Sequence, residues 1–409
     1  MSCTLHVPEI ILTPFEVSKH NTNDRTSTPS ARRLLRVTSL ADEWGSAKGG
    51  LSTLSRELAK HLARQPDVAV TLLLPNCSEK EKQEANDDNV HLALSDDMTE
   101  FGPSEDFDID VVVGHGQKVG APDQVIAEQH SCKRVHVVHT ASEELAMFKK
   151  RKKAVSEGEE KHDAEIDLCK EADIVVAIGP KLTEAISASL RPYGKDQDVL
   201  NVTPGIFPEF LKLSQAIEER EKFRILVFGR GDSDVFELKG YDIAAQAVAS
   251  LKDKSYHLLF VGAPKGNEEE VKEYLVDCGI SPTQLTVRGF VKSREKLEQL
   301  FCEVDLAIMP SRTEGFGLTA LEALSAGLPI LVSDNSGFGQ AIKSVNFGSS
   351  FVVQSCDAEE WGKAIRSVRE KPRQIRLNEA LWLRKFYDEK YEWEPQCERL
   401  VSRMRCFFE

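Results

Sequence analysis

The sequence has no uninterrupted apolar run approaching 18 residues and no basic start followed by a long apolar stretch, so neither a membrane-spanning helix nor a secretory signal is expected. It also lacks any CxxC or CxxH pair. Its nine cysteines (Cys3, Cys77, Cys132, Cys169, Cys278, Cys302, Cys356, Cys397 and Cys406) are odd in number and scattered, which argues against zinc ligation and redox pairs. Free thiols in a reducing compartment are the simpler reading, and a cytoplasmic protein without a metal site is the expectation. Basic charge is in deficit: 52 Lys+Arg stand against 66 Asp+Glu, and the formal charge of −14 disfavours binding to nucleic acid or to an anionic membrane. Repeats of solenoid period are missing, and low complexity is confined to a polar stretch, NTNDRTSTPS at 21–30.

What remains is long enough for two hydrophobic cores, since 409 residues exceed the length at which a single core stops growing. After a flexible leader (1–32), short apolar runs alternate with helical patterns. LLRVTSL (34–40), VAVTLLLP (68–75), IDVVVGH (109–115), RVHVVHT (134–140) and DIVVAIG (173–179) read as buried parallel strands. Leu51, Leu54, Leu58 and Leu62 mark one face of the first helix. NVTPGIFPE (201–209) breaks the pattern, and the charged LKLSQAIEEREK after it reads as a linker. The pattern then restarts with FRILVFG (223–229), HLLFVGA (257–263), QLTVRGF (284–290), DLAIMPS (305–311), LPILVSD (328–334) and SSFVVQ (349–354). The expected architecture is α/β, with Rossmann-like domains at 33–207 and 220–384 facing a ligand cleft at the carboxyl ends of their strands.

Five consecutive basic residues, Lys149 to Lys153, precede a run of acids. They read as a solvated surface helix or loop with self-compensating charge. Membrane association through this cluster is the sharper alternative and is not favoured.

DLAIMPSRTEGFGLTALEALSAGLPILVSD (305–334) carries the most chemistry: a strand, a Ser-Arg-Thr-Glu-Gly-Phe-Gly turn, a helix and another strand. Gly315 and Gly317 remove side chains where the backbone turns, so amides at Phe316, Gly317 and Leu318 are placed at a helix N-terminus that suits a diphosphate. Glu314, next to those amides, needs a polar partner such as sugar hydroxyls, and Glu322 suits a ribose diol. A lone Gly-x-Gly would have little specificity; the two glutamates with seven residues between them supply it.

These residues resemble the family-four retaining glycosyltransferases of GT-B fold, whose signature is a Glu, seven residues and a second Glu within an EGFGLTALEALSAGLPIL-like segment. ILVFGRGDSDVFELKGYDIAAQAVASL (225–251), NVTPGIFP (201–208), VRGFV (287–291), AKGGLSTLSRELAKHLA (47–63), RVHVVHTAS (134–142) and YEWEPQCERLVSRM (391–404) extend the likeness over about residues 33 to 405. Departures are Pro204-Gly205, where members often have Asn-Gly, and the acidic loop of Asp232, Asp234 and Glu237.

The resemblance implies a metal-independent transfer from a UDP- or GDP-linked sugar to an acceptor hydroxyl, with a last helix (385–409) crossing back to the N-terminal domain. Arg230 and Lys239, with the amides of Gly317 and Leu318, would hold the leaving diphosphate. Glu314 would take the sugar, Glu322 the ribose, and Gly49 and Gly50 would allow close approach of the N-terminal loop. His139 would orient sugar or acceptor, or else be a satisfied core histidine. His115 is a cleft-lining candidate, and Trp44 and Lys48, just ahead of the glycine pair, are candidates to touch the acceptor, an aromatic at such a loop being as often a packing residue. Three rival readings are a GT-B nucleotide-sugar epimerase, a phosphorylase, for which no pyridoxal-phosphate lysine motif is present, and an inactive nucleotide-sugar-binding or scaffold module.

Overall fold

The computed structural model describes residues 33–45, 49–95, 108–148, 153–291 and 293–409. In the first half, seven strands form one parallel sheet: β1 Leu35–Leu40, β2 Val68–Leu74, β3 Val90–Leu94, β4 Val111–His115, β5 Lys133–Val138, β6 Ile174–Ile178 and β7 Val199–Val202. Their spatial order is β3-β2-β1-β4-β5-β6-β7. In the second half, β8 Phe223–Phe228, β9 Tyr256–Ala263, β10 Leu285–Gly289, β11 Leu306–Met309, β12 Ile330–Ser333 and β13 Val352–Val353 form a second sheet in the order β10-β9-β8-β11-β12-β13. Every pairing between these strands is parallel. Strand order reverses beside β1 and β8, and such switch points open a crevice at the strands' carboxyl ends.

Central strands are mainly apolar because helices cover both faces: all residues of β4, β6, β11 and β12 are buried, the polar His115 and Ser333 at their carboxyl ends included. The helix Gly50–Ala63 buries Leu54, Leu58 and Leu62, as their spacing predicts. Edge strands β3 and β7 escaped the sequence reading. VHLAL alternates buried and exposed residues, and VLNV runs into the proline-containing connection, so neither shows a continuous apolar run.

One apolar cluster joins the halves, running from Val37 and Leu58 through Phe207 and Phe210 to Phe301 and Leu324, and on to Tyr387, Trp393 and Leu400. The connection is pinned by polar bonds as well. The Phe207 amide donates to Ser325 Oγ at 3.1 Å, and the Tyr387 hydroxyl to the Pro204 carbonyl at 2.7 Å. Gln396 both accepts from the Thr203 amide and donates to its carbonyl, at 2.7 and 2.9 Å. The last helix, Trp393–Arg405, lies on the first: the Trp393 indole stacks on His61 with centroids 5.0 Å apart, and Arg405 donates to the carbonyls of Pro66 and Asp67. Among the described residues no helix is long and apolar enough to cross a membrane.

Candidate functional site

The strand β11 stops at Pro310, and the following turn delivers the chain to the helix Leu318–Ser325. Gly317 caps that helix with φ 107°, a left-handed conformation that side chains resist, and no side chain occupies the cap. First-turn amides have no acceptor inside a helix, so this N-terminus has the chemistry to receive an anion.

Just before it, the Glu314 carboxylate receives the Lys239 ammonium and, at 3.5 Å, the Ser311 hydroxyl. Lys239 sits on the turn leading into the helix Tyr241–Ser250, its amide bonded to the Val235 carbonyl at 2.8 Å. Two residues chosen from sequence and 75 positions apart thus meet at the mouth of β8 and β11. The pairing answers the question of what keeps a carboxylate beside an anion site: it carries its own cation.

The turn abuts the first half. A Cβ on Gly315 would stand 2.5 Å from the His139 carbonyl, a distance no side chain tolerates. His139 follows β5, and its Nε2 lies 2.9 Å from Nδ1 of His115, the last residue of β4. His115 Nε2 in turn is 3.1 Å from Ser39 Oγ on β1. Both imidazoles are held neutral. Burial pushes His115 well below its usual range, aided by His139 and His136, and pushes His139 down to about 3, aided by His136. They flank a cavity of about 280 Å³ lined also by Gln117, Thr140, Lys161 and Glu165.

A smaller pocket, about 100 Å³, collects Gly49, Gly50, Leu318 and Glu322 from both halves. Glu322 is buried, and Arg294, which also lines the pocket, donates to it at 2.7 Å. Burial pushes the Glu322 carboxyl up despite the guanidinium. Typical ligand pockets measure roughly 300–1,000 Å³, so a nucleotide enters only if Arg294 or the halves move.

Arg230 is solvent-exposed on the turn after β8, where its carbonyl accepts from the Tyr241 hydroxyl at 3.0 Å. It lines a separate cavity of about 540 Å³ with Asp232, Asp234, Asn267 and Glu270. Phe316 offers its backbone only, because its ring is buried against Phe338 with centroids 5.8 Å apart. Trp44 is a core residue at 4% exposure. Lys48 and Lys149–Lys152 lie outside the described residues, and Lys153 is exposed ahead of the helix Ala154–Glu171. Sequence reading missed Arg294, Lys181 and Glu144, which bond directly to the Glu-bearing segment. Arg294 sits on a helix whose polar pattern gave no sign of its target.

Solved structures with the same fold include sucrose-phosphate synthase from Thermosynechococcus elongatus (TM-score 0.69, 16% identity, 91% of this chain and 99% of that one). Anabaena HepE in complex with UDP and glucose is similar as well (TM-score 0.67, 15% identity, 90% and 99%). Among curated relatives, the D-inositol 3-phosphate glycosyltransferase of Stackebrandtia nassauensis is 27% identical over 285 residues, and that of Rhodococcus erythropolis 28% over 174. These matches take in 66% and 41% of this chain but only 62% and 38% of the relatives' length. Residues 38–400 match the model described as Family 4 Glycosyltransferase in conflict systems. With two parallel α/β halves and the Glu314–Glu322 segment in place between them, the chain belongs to the family-4 glycosyltransferases and has the GT-B fold.

Proposed function

We propose that the protein transfers a sugar, with retention of anomeric configuration and without a metal, from a nucleoside-diphosphate sugar to an acceptor hydroxyl. The observation that carries this reading is the Lys239–Glu314 pair set at the side-chain-free N-terminus of the helix Leu318–Ser325. When the C1–oxygen bond of the donor breaks, its electron pair goes to the diphosphate, and fixed cations and amide dipoles stabilise that charge without reorganising. Lys239 and the amides of Gly317 and Leu318 take this role, and Arg230 joins them by swinging from the neighbouring cavity that it lines in this structure. Glu314 accepts hydrogen bonds from the sugar, and Glu322, with Gly49 and Gly50 opposite, takes the ribose side. His139, neutral at physiological pH, contributes a hydrogen bond rather than a charge to the sugar or the acceptor.

HepE's complexes with UDP and UDP-glucose support a UDP-sugar as the first donor to try. The test is to incubate the protein with UDP- and GDP-sugars and polyol, sugar and peptide acceptors in excess EDTA, following nucleotide release. The anomeric proton coupling of any product then gives its configuration. An α-linked product from an α-donor under EDTA supports the proposal; a β-linked product, or strict dependence on added metal, overturns it.

A further inference from the structure

The helix Gly179–Leu190 follows β6 in the first half and carries Lys181, whose side chain is only 12% exposed. Its ammonium reaches into the second half. It donates to Thr313 Oγ1 at 2.7 Å and to the Asn335 carbonyl at 2.9 Å, and lies 3.5 Å from the Glu314 carbonyl. Glu144, also from the first half, completes the ring: its Oε2 accepts from Lys181 at 2.5 Å and from the Thr313 hydroxyl at 2.6 Å. Burial opposes the charge on Glu144, yet the Lys181 and Thr313 bonds hold its carboxyl below the usual range.

The acceptors are not scattered. Thr313 and Glu314 are successive residues of the site turn, and the Asn335 carbonyl that Lys181 engages also receives the Glu314 amide at 3.3 Å. Glu314 further pairs with Ser336 as an isolated parallel bridge. Lys181 therefore grips both strands of the bridge that fixes the Glu314 backbone, from across the cleft. An ammonium has three protons, and the Glu144, Thr313 and Asn335 contacts use all of them, so this is no vacant ligand site.

We propose that Lys181, oriented by Glu144, is a positioning residue: it seats the 313–315 turn against the first half so that Glu314 and the amides behind it stand at a fixed height over the donor. The clasp closes beside the Gly315–His139 contact, so both interactions bring the turn to the same stop. Its catalytic consequence rests on the function proposed above. A misplacement of about 1 Å costs about 100-fold in rate, so the effect falls mainly on kcat, while donor affinity, which draws also on Glu322 outside the clasped turn, changes less.

The experiment compares wild type, K181M, K181R and the control K363A, which removes an exposed cation paired with Glu360 one turn away on the helix Ala358–Glu370. Amide hydrogen exchange without any ligand reads the turn directly. Exchange at 313–317 and 335–338 should rise at least tenfold in K181M, with the helix Gly50–Ala63 unchanged and K363A matching wild type. With the best donor, kcat should fall about 30-fold in K181M with donor KM within threefold, and K181R should recover part of the loss. Unchanged exchange in K181M, or a loss confined to KM, overturns the clasp. If wild type turns over no nucleotide sugar, the enzymatic reading fails and the exchange result alone decides the positioning claim. Should K181M not fold, T313A removes the hydroxyl link and is read in the same way.

Discussion

The Arg294 guanidinium donates to the Glu322 carboxylate at 2.7 Å across the floor of the pocket shared by the two halves. Arg294 also approaches Glu209 at 3.6 Å and lies over the rings of Phe207 and Phe210, on the connection between the halves. Burial of Arg294 is outweighed by Glu322, Glu209 and Glu57, so it stays charged. R294A leaves a buried carboxylate without its cation, a loss of about 3 kcal/mol. Urea denaturation checks this, and the double variant R294A/E322A should cost less than the two single changes added together.

On the proposed function, Lys239→Ala and Glu314→Gln should each lower kcat by about 10²–10³ while thermal stability changes little, because the two groups are partly exposed and their proposed roles are toward the donor. Steady-state kinetics beside thermal denaturation separates the two effects. A loss of activity that tracks a loss of fold contradicts the assignment.

Gly315→Ala places a methyl 2.5 Å from the His139 carbonyl. Backbone must yield, so a destabilisation of about 1–3 kcal/mol is expected, with a drop in kcat that K181M in the same chain does not deepen further. Additive losses would mean that the contact and the clasp act separately.

Stability should vary with pH through the histidines of the first half. Burial opposes charge on His136, but bonds to Asp123 and Glu165 raise it to about 9, so its contribution is complete below about 6.5 and is lost as pH rises through 9. Its size is about 3 kcal/mol. His115 and His139 run the other way. Both are lowered by burial, so their contribution is present above about 6.5 and lost as pH falls. Unfolding free energy against pH should therefore peak near neutrality, and H136Q should flatten the alkaline limb while shortening the acid limb only slightly, since burial is the larger cause of the His115 and His139 shifts.

Much of this was legible from residue order. Buried parallel strands announce themselves as continuous apolar runs, which is why β4, β6, β8 and β11 were visible and the half-exposed edge strands β3 and β7 were not. Glu314 and Lys239 were chosen from separate motifs, and they meet. The partners that tune the site were hidden for a physical reason. Lys181 and Glu144 act through side chains that reach across the cleft and Arg294 through one that reaches another helix of its own half, and no local period records where such a side chain ends. Arg230, picked with Lys239, faces a cavity of its own.

The central claim, a nucleotide-sugar site in this cleft, is tested most directly by thermal-shift titration with UDP-, GDP- and ADP-sugars on wild type, E322A and R230A. A ligand at about 100 times its dissociation constant adds about 2.7 kcal/mol. The account predicts that one nucleotide sugar stabilises wild type by this order and that both substitutions abolish the shift; no shift with any of them, or a shift that survives both substitutions, would contradict it.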